Sequence, residues 1–168
     1  MLVQKMTTTK KQNKKLIERY PFLLPHNRLT DRVPDGYDYS YTELDDMPDG
    51  WRIAFGEELC EEIRNELLAN NCLDKYRIAQ IKEKFGKLRW YDFRSTRKIA
   101  CEIIPKYMER SAHTCIICGK PATRITLDWI SPYCDDCLPK AEPGGSKFNS
   151  ESVPIEEYYE DCIDLAKT

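Results

Sequence analysis

Two pairs of cysteines have the spacing of a four-thiolate metal site. Cys115 and Cys118 form the first Cys-x-x-Cys pair, and Cys134 and Cys137 form the second after fifteen intervening residues. A two-residue spacer lets both thiolates of a pair point at one ion, at the zinc–sulfur distance of about 2.3 Å. Gly119 permits the sharp turn that must follow Cys118. The spacing therefore predicts one structural Zn²⁺ ion bound by these four side chains.

The sequence argues against a reaction at this metal. Four thiolates fill a tetrahedral coordination sphere, whereas a catalytic zinc keeps one position open. A zinc deaminase needs His-x-Glu and Pro-Cys-x-x-Cys, but no glutamate follows His113 at that spacing and Pro132 does not directly precede Cys134. A His-Asn-His nuclease pattern, a phosphate-binding glycine-rich loop and a Gly-x-Ser-x-Gly elbow are also missing. We therefore expect no enzymatic activity.

Two other roles for the cysteines are less favoured. Redox-active pairs normally follow a strand of a βαβ unit, and neither pair does. Disulfides require a secretory route, and the N-terminus carries positive charge without the apolar block of a secretory signal behind it.

No stretch approaches the roughly 20 apolar residues of a membrane span. We expect a protein of a reducing cytoplasm.

The chain before the cysteines predicts a helix followed by a β-hairpin. Apolar side chains recur at i+4 steps from about Gly50 onward, at Trp51, Phe55, Leu59, Ile63 and Leu67. Residues 76–93 contain two runs rich in apolar and aromatic side chains on either side of Phe85-Gly86-Lys87, which is a hairpin signal.

A second helix is predicted to begin at Ser95 or Thr96 and to be kinked or ended by Pro105. The predicted fold class is α+β, with a small helix–hairpin–helix core over residues 50–112. A Cys₄ zinc ribbon follows over residues 113–140.

The flanking segments are predicted to be irregular. Residues 1–15 are polar and are expected to be disordered. Residues 16–49 are rich in proline and tyrosine and predict an extended arm laid over the core. Residues 141–168 read as a linker followed by an acidic tail helix.

Charge is segregated along the chain, with +6 over residues 1–32, −9 over 33–76 and +6 over 77–98. The second basic section interleaves cations with aromatic residues, a pattern suited to tracking a phosphate backbone and stacking bases. The candidate nucleic-acid-binding residues are Arg77, Lys82, Lys84, Lys87, Arg89, Trp90 and Arg94. The alternative is a packed hairpin with core aromatics and merely solvated lysines. The ribbon is electrically neutral, which argues against it as the nucleic-acid-binding element.

The string Gln-Ile-Lys-Glu-Lys-Phe-Gly-Lys-Leu-Arg-Trp-Tyr ends at Tyr91 and is followed by Cys-x-x-Cys-Gly-Lys-Pro and Trp-Ile-Ser-Pro-Tyr-Cys-x-x-Cys. Upstream stand Tyr20-Pro-Phe-Leu-Leu-Pro and Met47-Pro-Asp-Gly-Trp. Over about residues 20–137 this pattern resembles a group of small proteins encoded by bacteriophages and prophages. The resemblance implies a phage protein that acts in the cytoplasm of a host bacterium, and it supplies no catalytic residue.

Two functions are compatible with these features. The first is a non-enzymatic interaction protein that binds and inhibits a host protein in an anti-defence role, such as anti-CRISPR inhibition. Its acidic section 33–76 and acidic tail could imitate nucleic acid and occupy a positively charged groove of the host protein. The alternative is a phage regulator or accessory factor that binds DNA or RNA through the basic hairpin of residues 77–98.

Overall fold

The computed structural model describes residues 8–138 and 151–159. Its helices are α1 (Lys10–Arg19), α2 (Asp49–Trp51), α3 (Glu57–Ala69) and α4 (Ile104–Ala112), and residues 155–159 are also helical. Its strands are β1 (Arg77–Lys84), β2 (Lys87–Phe93), β3 (Arg124–Thr126), β4 (Pro132–Tyr133) and β5 (Ser152–Pro154). The strands form two antiparallel sheets, β1–β2 and β4–β3–β5. The predicted α+β class is confirmed.

A single core runs through the helices and the first hairpin. A π-helical turn, Arg52–Gly56, joins α2 to α3, so the helix continues from Asp49 to Ala69. Its apolar stripe at i+4 spacing is fully buried or nearly so, at Trp51, Phe55, Leu59, Ile63 and Leu67. The start and the buried face of this helix follow the hydrophobic periodicity of the sequence.

Pro105 does not end the second helix. It lies within the first turn of α4, directly after a π-helical turn, Ile99–Ile103. A proline ring clashes with the carbonyl one turn earlier and leaves it without an N–H donor, and a wider π turn accommodates both effects. In the described part of the chain no helix has the length and apolar character needed to cross a membrane.

The β1–β2 hairpin turns at two residues that both have positive φ. Phe85 has φ 55° and Gly86 has φ 72°, which is the type I′ turn that matches the twist of antiparallel strands. One side of the hairpin is buried, at Ile78, Ile81, Leu88 and Trp90. The other side carries the basic residues.

The predicted disorder of residues 1–15 does not extend to residues 10–15, which belong to α1. Thr9 caps that helix in a reciprocal capping box with Gln12. Asn13 is buried and its Nδ2 donates to Tyr39 O at 2.8 Å. Ile17 joins the core. A local cap and two buried side chains therefore order a segment whose composition alone predicts disorder.

The segment after the cysteines differs from the predicted linker in forming a strand, β5. Within residues 151–159, β5 pairs with β3, and Val153 lies opposite Ile125. Ile155 packs against Ile125 in a small second core. The predicted acidic tail helix is present at residues 155–159, and its remaining residues lie outside the described part of the chain. A third strand therefore completes the cysteine-bearing sheet.

Gly50, in the first turn of the main helix, touches the loop that carries Cys115. Its N–H donates to Ile116 O at 3.0 Å, and a Cβ at Gly50 would lie 2.1 Å from Cys115 O. Gly119 makes the same approach from the other side, because a Cβ there would lie 2.6 Å from Gly50 O. The cysteine region and the main core are thus in direct backbone contact.

We expect Gly50→Ala to lower the free energy of unfolding by at least about 1–3 kcal/mol, because the added methyl group would overlap fixed backbone atoms. Helix propensity alone would favour alanine by about 1 kcal/mol. Gly56→Ala is the matched control, since its Cβ would meet side-chain atoms of Arg52 and Leu44, the nearest at 3.3 Å, and not fixed backbone atoms of another segment. Urea unfolding followed by far-ultraviolet circular dichroism measures both, and equal stabilities would contradict this packing.

Candidate functional site

The four cysteine side chains meet at one place. Their Sγ atoms lie within 4.8 Å of one another, and those of Cys118 and Cys134 are 3.6 Å apart. A tetrahedral site with metal–sulfur bonds of about 2.3 Å needs sulfur atoms about 3.8 Å apart. Cys115 and Cys134 are buried, whereas Cys118 and Cys137 are partly exposed. The four residues could therefore hold one metal ion.

Backbone hydrogen bonds shape each cysteine pair. In the first pair, Gly119 N donates to Cys115 O at 3.0 Å, and the turn uses the left-handed φ of 78° that Gly119 adopts. In the second pair, Cys137 N donates to Cys134 O at 3.1 Å. Strand β4 ends at Tyr133 and pairs with β3. The sheet thereby returns the second pair to the first.

The surroundings affect the four thiols unequally. Burial acts to raise the pKa of Cys115, but backbone N–H groups, among them those of Cys118 and Cys134, outweigh it and lower that pKa. Burial, to which neighbouring thiols add, raises the pKa of Cys118 and Cys137. Four thiolates therefore need a compensating cation, and a metal ion would supply it as it displaced the thiol protons.

Most of the predicted nucleic-acid-binding residues share one side of the β1–β2 hairpin, which we name the hairpin face. Directly opposite residues of an antiparallel pair point to the same side of the sheet, so the register defines it. Its members are Arg77, Gln80, Lys82, Lys84, Lys87, Arg89, Tyr91 and Phe93. Tyr91 is 46% and Phe93 53% exposed. Cations and accessible aromatic rings are therefore adjacent on this face.

Trp90 does not belong to the hairpin face, and its predicted role in binding is corrected. It is 5% exposed, and its Nε1 donates to Tyr76 Oη at 2.9 Å. Side chains alternate along a strand, so Trp90 points into the core while Tyr91 points outward. Arg94 follows β2 with a φ of 61° and lies just beyond the face.

The cations of the hairpin face divide into paired and unpaired groups. Arg77 Nε lies 3.3 Å from Asp31, and Lys87 Nζ lies 3.1 Å from Glu109. The remaining three, Lys82, Lys84 and Arg89, form no salt bridge with any residue that the structure describes. Two of them lie over aromatic rings instead, Lys82 over Tyr91 at 5.5 Å and Lys84 over Phe85 at 5.2 Å.

Two grooves flank the hairpin face. The first, of about 360 Å³, lies where β1 starts and β2 ends, and it includes the cationic side chains of Arg28, Lys75, Arg77 and Arg94. The second, of about 390 Å³, lies at the hairpin turn and is shared with the β3–β4 loop. We call them the basic groove and the aromatic groove.

Three groove residues that could contact a ligand, Arg28, Lys75 and Trp129, are not among the binding residues predicted from the sequence. Arg28 and Lys75 lie outside the basic section 77–98, and only the fold brings them to it. Trp129 lies within the electrically neutral ribbon, where no charge pattern points to it. The one sequence signal near Trp129 is the preceding Asp128, since aspartate is common in turns and loops.

Comparisons with known proteins leave the site to be interpreted from its own residues. No protein-family model matches this chain, and no curated protein and no solved structure matches it either. The chemistry must be inferred from the donors, charges and exposed rings described above.

We expect native mass spectrometry to detect one metal ion per chain, and Cys134→Ser to lose it because a hydroxyl is a poor replacement for a buried thiolate ligand. The free energy of unfolding should then fall by more than about 4 kcal/mol, as losing a structural metal can cause. Cys101→Ser, at an exposed cysteine outside the cluster, should retain both metal and stability. A stably folded wild-type chain without metal would contradict the assignment.

Proposed function

We propose that this protein is a non-enzymatic binding protein that holds nucleic acid against its hairpin face. The observation that carries the proposal is the juxtaposition of like charges across the hairpin, with no acidic strand residue on that face. The four-cysteine site would hold a structural ion that supports the fold around this surface. The proposed setting is a phage-infected bacterial cytoplasm, as the sequence resemblance implies.

Like charges stand directly opposite each other at two positions of the register. Lys82 faces Arg89, and Lys84 faces Lys87. Such pairs destabilise an antiparallel sheet, whereas opposite charges would stabilise it. Glu83 and Asp92, the two acids of these strands, point to the other side. A ligand with regularly spaced negative charges, such as a phosphate backbone, would relieve this repulsion.

Aromatic side chains and the basic groove extend the same surface. Tyr91 and Phe93 offer exposed rings between the cations, an arrangement used to stack bases beside a backbone. Phe93 also lines the basic groove, where Arg28 and Arg94 add positive charge at the end of the hairpin face. Charge and stacking surfaces are therefore continuous along the length of the hairpin.

The protein-binding hypothesis stays a prediction, and the ion pairs of α3 weigh against its acidic surface. Four of the five glutamates of α3 lie within salt-bridge distance of cations on neighbouring elements. The pairs are Glu58 with Arg110, Glu61 with Arg19, Glu62 with Lys106 and Glu66 with Lys98. Because these carboxylates have intramolecular partners, the negative potential that they offer to a host protein is reduced.

Zinc is the metal that we propose for the four-cysteine site. Tetrahedral thiolate sites hold zinc or iron, and zinc suits a closed structural site without redox chemistry. Elemental analysis of the purified protein should find zinc in a one-to-one ratio to the chain, in a colourless solution. A stoichiometric amount of iron with visible absorption would contradict the choice of zinc and leave the four ligands unchanged.

The double variant Lys82→Ala/Arg89→Ala should weaken nucleic-acid binding without weakening the fold. Fluorescence anisotropy with a labelled oligonucleotide, repeated over a range of salt concentrations, measures the effect. The slope of log affinity against log salt should fall by about 1.4–1.8, for two lost phosphate contacts. Stability in urea should stay the same or rise by about 0.2–1 kcal/mol, because one like-charge pair is gone.

Lys11→Ala/Lys15→Ala is the matched control, since it removes two exposed lysines of α1 and changes the net charge equally. Its salt slope should stay near that of the wild type. Equal slopes for both double variants would mean that net charge alone causes binding and that the hairpin face is not the site. A wild-type protein that binds no oligonucleotide at low salt would refute the proposed function.

A further inference from the structure

Trp129 differs from the other two tryptophans of the chain in its exposure. Trp51 and Trp90 are 0% and 5% exposed, whereas Trp129 is 67% exposed. Exposed single apolar residues are common, but Trp129 is accompanied by Phe85, which is 64% exposed and lines the same groove. Two large aromatic rings from different parts of the chain are thus presented to solvent together.

The backbone on both sides of the aromatic groove is held in place. Thr126 Oγ1 donates to Trp129 O at 2.5 Å, and Ser131 N donates to Thr126 Oγ1 at 3.2 Å. Ile130 packs on the hairpin turn, because a Cβ at Gly86 would lie 3.3 Å from its Cγ2. The β3–β4 loop and the turn of the hairpin therefore form one shaped surface.

Phe85 has a backbone conformation that bulky residues rarely adopt. Its φ of 55° lies in the left-handed region, where asparagine, aspartate or glycine is usual in a type I′ turn. That conformation places an aromatic ring at the tip of the hairpin instead of a small polar side chain. Strained backbone concentrates at functional sites, and here it coincides with an exposed ring that lines a groove.

The aromatic groove carries mixed charge, and its one cation in the described part of the chain, Lys84, also belongs to the hairpin face. Lys84 has no acidic partner among the described residues. Glu83 also lines it, but its Oε1 accepts a hydrogen bond from Gly86 N at 2.6 Å. Asp128 is the remaining acid and is exposed. The groove is therefore continuous with the proposed interface through an unpaired cation.

We propose that the aromatic groove takes an unpaired base of single-stranded nucleic acid, stacked on Trp129 and Phe85. This inference rests on the proposed function and specifies its ligand. Every base has a π-face that an aromatic side chain can stack on. In a duplex both faces of a base are already stacked on its neighbours, so the two rings would add affinity only for single strands. The protein therefore prefers single-stranded nucleic acid to a duplex.

Tryptophan fluorescence tests the inference directly, because Trp129 is the exposed tryptophan. Titration with an oligothymidine of about 16 nucleotides, which is the upper range for one small binding domain, should quench the emission. A duplex of equal length should bind with less quenching. Trp129→Ala should lower the affinity for the single strand about tenfold and leave the affinity for the duplex unchanged, whereas Trp129→Phe should retain most single-strand binding.

Leu127→Ala is the matched control, because it removes an apolar residue of the same loop that is 37% exposed. Its affinity for both oligonucleotides should equal that of the wild type. Single-strand binding without quenching, or an equal loss on the duplex in Trp129→Ala, would refute the base site while leaving the hairpin face as the interface. That interface fails separately if Lys82→Ala/Arg89→Ala binds as well as wild type.

A second copy of this chain is the other occupant that the experiment can detect. Sedimentation of wild type and Trp129→Ala gives the oligomeric state of each. A wild-type dimer that the substitution abolishes, with fluorescence unaffected by oligonucleotide, would assign the groove to self-association and overturn the proposal. A wild-type monomer with quenched fluorescence supports it.

Discussion

The rest of the structure depends on a close backbone contact between the start of the main helix and the first cysteine loop. Gly50 N reaches Ile116 O, and no Cβ fits at Gly50 or at Gly119. Trp51 adds a buried hydrogen bond from its Nε1 to Thr114 O at 3.0 Å. A helix whose buried face builds the main core is thus joined directly to the loop that supplies two of the four thiols. The cysteine site and the core therefore stabilise each other.

The cysteine region also positions the aromatic groove beside the hairpin turn. The cysteine pairs are joined by β3, the loop with Trp129 and β4, and Ile130 of that loop packs on Gly86 in the hairpin turn. Leu88 N also donates to Ser111 Oγ at 2.8 Å, which ties β2 to α4 just before the first cysteine pair. A metal ion in the site would therefore help to hold the loop against the hairpin.

Chemistry that is local in sequence was predictable, and contacts between distant segments were not. The Cys-x-x-Cys spacing predicted the cluster, since two residues suffice to aim both thiols at one ion. The i+4 stripe predicted the main helix. The outward direction of Tyr91 instead of Trp90 depends on register and on a bulge between Ile78 and Gln80, which imperfect alternation in the sequence does not specify. The pairing of β5 with β3 crosses a linker-like segment, so no local pattern could reveal it.

The acidic section 33–76 and the basic section 77–98 differ in how far folding pairs their charges. Four glutamates of α3, which belongs to the acidic section, form salt bridges with Arg19, Lys98, Lys106 and Arg110. Folding therefore pairs these acids with bases from other parts of the chain. Lys82 and Arg89 face each other and form no salt bridge with the described residues, and a like-charge pair of this kind destabilises an antiparallel sheet. Most natural sequences avoid such local conflicts except at functional sites. The fold thus pairs most glutamates of its acidic helix but leaves like charges opposite each other on the hairpin, and this is the surface on which we propose that nucleic acid binds.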